Sequence, residues 1–168
     1  KNITAVTTRH GLHDNLTTCL CALPDGTIMA GHQDKGFSVI GMDASKHLYV
    51  KKAHFNWNFG EVTGIHNIQQ QIFLSTSDSG LLQCIYSNGQ YLLKPTDANT
   101  GVGKSLADSS GLLWLANGHQ LQLSTFAHLK KRMPLTSSDA NANHAVLEDS
   151  NGRLWYALRN QIHAVATI

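Results

Sequence analysis

The chain has 168 residues, 42% of them hydrophobic and only 14% charged, which is enough to bury a sizeable core and too little charge for a disordered or coiled-coil segment. A formal net charge of +2 argues against a nucleic-acid partner, and no apolar run is long enough to cross a bilayer as a helix. Three cysteines, an odd number, do not make a disulfide framework, and ten histidines make the charge sensitive near pH 6.

In chain order, residues 2–8 are strand-like, and residues 9–16 form a polar loop. Residues 17–40 then hold an apolar stretch, an Asp25-Gly26 turn signal, a second apolar stretch, a polar loop and a third. Three later segments, 61–85, 101–123 and 141–165, line up with it. Anchored on Ile28, Ile72, Leu113 and Leu154, the copies are 44, 41 and 41 residues apart, a period that suits a blade of four strands. Ser110-Gly111 and Asn151-Gly152 repeat the hairpin signal, whereas the second copy has Gln69-Gln70-Gln71 there. Outer strands are expected at 48–52, 91–94 and 129–133, with a final third strand at 161–168.

The repeat columns have a physical sense. After each anchor comes a large side chain, Met29, Phe73, Trp114 or Trp155, and two further on a small one, Gly31, Ser75, Ala116 or Ala157. Large and small residues two apart on one strand face interdigitate with a neighbouring sheet. Seven positions before each anchor the residue is apolar (Cys21, Ile65, Leu106, Leu147). Just before that, small residues (Cys19, Thr63, Gly103, Ala145) suit a strand crowded around a central axis. Cys19 and Cys21 share a strand face without the geometry for a mutual bond, so the cysteines read as small buried hydrophobes.

The expected fold is therefore all-β, a β-propeller of four blades with four antiparallel strands each, forming part of a larger propeller. The blades cover about 9–52, 53–94, 95–133 and 134–168, with 2–8 as a closing outer strand. The chain begins without methionine and ends inside a strand-like stretch. It reads as a piece of something longer, with any export signal and membrane anchor elsewhere. Ring closure is then expected within a longer chain, or in trans through a homodimer.

The stretches LEDSNGRLWYALRNQIHAV (147–165) and GLHDNLTTCLCALPDGTIMAGHQDKGFSVI (11–40) resemble the two-component regulator propeller repeat, with its Asp-x-x-Gly turn and Leu-Trp-Ile-Gly-Thr-like strand. No copy holds the full Trp-Ile-Gly-Thr, and tryptophan stands in that strand only in the third and fourth copies. The resemblance implies a periplasmic sensor segment of a hybrid histidine kinase of the kind common in gut Bacteroidetes. It further implies recognition of an oligosaccharide, with no kinase chemistry in this segment and with membrane contact only through other parts of the parent chain.

In a meander, the loops joining outer to inner strands and those joining the second to the third strand share one end of the stack. Those loops hold Arg9, His13, Asp14, His32, Asp34, Trp57, Asn58, Asp78, Asp97, Asn99, His119, Asp139, Asn141 and Arg159. Amides and carboxylates bond hydroxyls, and an aromatic face packs on a sugar ring, so this end is the expected ligand site. Trp57 carries most weight, because turn-making does not call for tryptophan, although it also suits a cap over the core. Asp, Asn and Gly are ordinary loop residues by themselves. His10-x-x-His13-Asp14 has loose spacing and no second cluster, so no metal and no cofactor are expected. With no nucleophile elbow and no P-loop, no catalytic residues are assigned. Seven of the thirteen Lys and Arg residues lie on or beside the expected outer strands (Lys46, Lys51, Lys52, Lys94, Lys130, Lys131, Arg132), where they suit the guarding of unpaired edges more than a basic rim that attracts anionic glycans or a membrane surface. Two other functions fit the same architecture: a propeller lyase of the streptogramin-inactivating type, and a scaffold that binds protein partners through its end face.

Overall fold

The computed structural model describes residues 5–51, 55–99, 101–116, 120–125, 128–134, 144–158 and 161–165. Four antiparallel sheets follow one another along the chain. Sheet 1 is β1 (Thr17–Ala22), β2 (Ile28–His32), β3 (Phe37–Met42) and β4 (Leu48–Lys51). Sheet 2 is β5 (Val62–Ile68), β6 (Gln71–Thr76), β7 (Gly80–Ser87) and β8 (Gln90–Pro95). Sheet 3 is β9 (Lys104–Ala107), β10 (Leu113–Ala116), β11 (Gln120–Thr125) and β12 (His128–Pro134). Sheet 4 holds β13 (His144–Glu148), β14 (Leu154–Leu158) and β15 (Gln161–Val165). Each is an up-and-down meander with neighbours in sequence order, so the strands expected within the four copies and their order hold. The arrangement is propeller-like, and the described strands form no closed sheet.

Packing between consecutive sheets makes the core. Met29, Phe37 and Val39 of sheet 1 meet Ile65, Leu74, Leu82 and Tyr91 of sheet 2. Phe73 and Leu81 of sheet 2 meet Leu113 and Leu115 of sheet 3, and Trp114 and Leu123 of sheet 3 meet Leu154 of sheet 4. The inner strands are also stitched by hydroxyls: Thr18 donates to the Val62 carbonyl, and Thr63 to that of Val102 at 2.7 Å. The small column is a requirement of this packing. A Cβ at Gly31 would lie 2.5 Å from Cys19 Sγ and 2.7 Å from Val62 Cγ1, closer than real atoms approach.

Three expectations need correction. In sheet 2 the inner hairpin is one residue shorter. Gln69 and Gln70 take positive φ (49° and 65°) in a two-residue turn, and His66 stands opposite Phe73 with Ile65 opposite Leu74. The equivalent of Cys21, Leu106 and Leu147 is therefore His66, and the residue opposite Ser75 is Gly64, not Thr63. In sheet 3, Lys104 rather than Gly103 stands opposite Ala116. Residues 5–7 are not a strand and Thr8–His10 is a 3-10 turn; the start of the expected 2–8 strand lies outside the described residues.

The motif Asp-x-x-Gly-x-Leu-Trp has a structural cause in sheets 3 and 4. Asp108 Oδ1 accepts from the Ser110 and Leu112 N–H groups, and its Oδ2 accepts from Trp114 Nε1 at 2.6 Å. Asp149 does the same for Asn151, Arg153 and Trp155 Nε1, the last at 2.8 Å. One carboxylate thus shapes the turn and orients the indole six residues later. Donation from Trp155 and from the Arg153 N–H holds the Asp149 carboxyl well below the usual carboxylate range. Where Met29 replaces the tryptophan, Leu23 replaces the aspartate. All three cysteines are free thiols; Cys84 is buried, and burial pushes it up to about 12.

Candidate functional site

The loops at the expected binding end form a row that crosses sheets 1 to 3. At its start, Asn15 Oδ1 accepts from the Thr8 N–H at 2.9 Å, which folds the 9–16 loop on itself and leaves Arg9 exposed. Asp14 accepts from the backbone N–H of Leu16 at 3.1 Å and of Asp34 at 3.4 Å. Those donors, Leu16 first, hold its carboxyl below the ordinary value. Two of the expected residues, Asp14 and Asp34, are therefore side by side, with Asp34 exposed.

His32 is fully buried, with Nε2 2.8 Å from Ser38 Oγ, which also accepts from the His13 N–H at 3.0 Å. Burial pushes the His32 imidazole below its ordinary value. It supports the loop from beneath and is not on the surface that the loop presents.

Trp57 caps the core. Its ring meets Phe59 at 5.3 Å, Phe55 at 6.1 Å and Phe37 at 6.5 Å, all edge to face, and its indole N–H donates to the Gly60 carbonyl at 2.7 Å. Gly36, at φ 74°, makes room for it, since a Cβ there would lie 2.7 Å from the indole. The tryptophan is half-buried, leaving part of the ring outward beside the exposed Asn58. Phe55 and Phe59 pack around this tryptophan, two residues either side of it, a spacing visible in the sequence.

Farther along, Asp78 accepts from Ser77 Oγ at 2.7 Å, and Ser77 Oγ accepts from the Glu61 N–H at 2.9 Å. Asp97 and Asn99 are exposed on either side of the buried Ala98. His119, Asp139, Asn141 and Arg159 lie outside the described residues. Among the described residues no group of three His, Cys, Asp or Glu side chains is placed to hold a metal. What the row offers is a shallow polar surface: carboxylates at 14, 34, 78 and 97, amides at 58 and 99, and one aromatic edge. Such groups bind hydroxyls and ring faces.

Comparison with solved structures places this arrangement. The chain superposes on the extracellular domain of BT3049 from B. thetaiotaomicron, named as a hybrid two-component system, with a TM-score of 0.67 over 95% of its length at 16% identity. Two structures of the extracellular domain of BT4673 from the same organism, named in one a one-component and in the other a hybrid two-component system, give the same TM-score and identity over 95% and 96%. The fold is that of a part of these extracellular domains. This chain spans 22–23% of the length of each neighbour. No family model matches the chain, and no curated protein matches it. Among the described residues no helix is long and apolar enough to cross a membrane.

Proposed function

We propose that this chain is a ligand-sensing segment of a two-component signalling protein, exported to the periplasm, and that its sheets are blades of a larger β-propeller recognising an oligosaccharide. The observation that carries the reading is the superposition of nearly the whole chain on three structures of two extracellular domains named as parts of such systems. The repeat resemblance in residues 11–40 and 147–165 points the same way independently. An oligosaccharide suits the loop row because its amides, carboxylates and aromatic edge are spread across several sheets, as an extended polyhydroxylated ligand requires. The role is binding; any enzymatic step belongs to other parts of the parent protein.

Calorimetric titration of the purified chain against a panel of neutral and acidic oligosaccharides tests this reading. Asn58→Ala and Asn99→Ala, both at exposed positions, are expected to weaken binding severalfold while the melting temperature stays within a few degrees. Undiminished binding in the double variant would remove the loop row as the site.

The larger ring has its own test. The outer face of sheet 1 leaves Leu20 67% exposed, and the far face of sheet 4 leaves Leu147 62% and Ile162 74% exposed. In the proposed propeller, further blades cover both faces. The isolated 168-residue chain is therefore expected to self-associate in light scattering, and Leu147→Asp with Leu20→Asp to reduce that association. A stable monomer at high concentration would instead favour a ring closed within these sheets.

A further inference from the structure

Sheets 1 and 2 do not close against each other at the end opposite the loop row, and the reason can be read residue by residue. Between sheets 3 and 4, Glu148, opposite the anchor Leu154, reaches back to the preceding turn. Its carboxylate accepts from the Ser109 N–H at 2.7 Å and the Ser109 hydroxyl at 2.6 Å. The same position in sheet 2, opposite the anchor Ile72, is Asn67. The residue of sheet 1 equivalent to Ser109 is Pro24, two after the strand residue that faces the anchor. Proline has neither an N–H nor a hydroxyl to give. The stitch is missing, and Asn67 Oδ1 is shielded from solvent without a hydrogen-bond partner. An orphaned buried acceptor of this kind is destabilising unless something satisfies it.

At this place the structure has a crevice of about 220 Å³. Leu23, Pro24, Ile72, Tyr86 and Tyr91 form its walls and Asn67 lines it. At the mouth, Lys51 Nζ and Asp25 Oδ2 are paired at 3.2 Å, so neither is left as a bare charge. The tyrosine rings lie 4.7 Å apart at 43°, Tyr91 buried and Tyr86 61% exposed. Tyr86 therefore offers a free aromatic edge to the opening. The missing Asp–Trp pair contributes as well: Leu23 and Met29 stand where sheets 3 and 4 have aspartate and tryptophan, so the turn carries no indole to fill the gap.

We infer that this crevice is a binding site for a small aromatic ring carrying one hydrogen-bond donor, of the phenol or indole class. Size decides for one small aromatic molecule of one ring or two fused rings: an apolar cavity of about 150 Å³ accommodates benzene, whereas sites for larger ligands begin at about 300 Å³. The walls decide for an apolar, aromatic body, and Asn67 for the donor. Its carboxamide turns about χ2, a broad and soft torsion, to present the oxygen to the ligand and gain the bond that Pro24 cannot make. A free sugar does not suit the site, because its lining is mostly apolar, and beyond the few polar groups at Asp25, Lys51, Asn67 and Gln70 most of the hydroxyls would face Leu23, Pro24, Ile72 and the tyrosine rings without partners. This inference stands apart from the loop-end reading, which can fail without affecting it.

The test is calorimetric titration of the intact chain with phenol, indole, toluene and glucose, with melting curves on every variant. Phenol and indole are expected to bind, and toluene about tenfold more weakly than phenol for lack of the hydrogen bond. Asn67→Leu should abolish that preference while leaving toluene binding in place. Pro24→Ser, which restores a donor opposite Asn67, should weaken phenol while raising the melting temperature. Tyr86→Ala, at an exposed position, should weaken both aromatic probes without unfolding the chain. Absence of phenol and indole binding, an unchanged phenol preference in Asn67→Leu, or glucose binding that Tyr86→Ala abolishes would each overturn the assignment.

Discussion

Acidification from pH 7 to pH 4 is expected to destabilise the fold by up to about 3 kcal/mol through His66 alone. His66 is on β5, opposite Phe73, and its Nε2 lies 2.8 Å from Ser105 Oγ of sheet 3. Burial between the sheets pushes the imidazole from 6.5 down to about 4, because charging it there would strip the cation of water. The folded value is below the unfolded one, so the unfolded chain takes up the proton first. The stabilising contribution is fully present above pH 6.5, and it is lost as the pH falls through 4. Buried His32, pushed the same way by burial, adds to the loss. Asp25, drawn down to about 2 by the hydroxyl and N–H of Thr27, loses its contribution only below the ordinary carboxylate value and so stays outside this window. Urea unfolding at pH 7, 5.5 and 4.5 checks this. His66→Gln keeps a hydrogen-bonding group opposite Ser105 and should flatten much of the pH dependence. An unaltered slope in that variant would place the acid-sensitive group elsewhere.

Trp114→Ala should cost about 3–5 kcal/mol and lower the melting temperature by roughly 10 °C. The ring is only 6% exposed, packed with Leu123 and Leu154 between sheets 3 and 4. Its removal also leaves Asp108 Oδ2 without its indole donor. Trp155 occupies the same column and donates to the equivalent carboxylate, Asp149, yet it is only half-buried. Its face is the one that leaves Leu147 and Ile162 exposed, so Trp155→Ala should cost distinctly less in the isolated chain. Denaturant unfolding of the two variants makes the comparison direct. Equal costs would mean that the far face of sheet 4 is covered after all.

Much of this architecture is legible in the sequence. The Asp25-Gly26, Ser110-Gly111 and Asn151-Gly152 signals mark true hairpins, and the outer strands fall where the period puts them, because turn chemistry and strand alternation are local properties. The register of sheet 2 was not legible. Ile65 fits an apolar column better than His66 does, and only the shortened Gln69-Gln70 turn shows that the histidine takes the inward place. The loop row was legible as a set of polar residues but not as a surface. The depth of His32, the capping posture of Trp57 and the pairing of Asp14 with the Asp34 backbone depend on what the neighbouring loop presents.

By itself, the sequence determined a repeat of antiparallel hairpins, the large-and-small columns between sheets, and the end of the stack at which the polar loops gather. These follow from periodicity and turn propensity, which act over a few residues. Tertiary structure alone decided that Pro24 would face Asn67 across 43 residues of chain, leaving an unsatisfied oxygen beside a crevice. It also decided that His66 would be buried against Ser105 and so acquire its acid sensitivity. Hydrogen-bond satisfaction and desolvation depend on which groups are brought together, and contacts between sheets set that here.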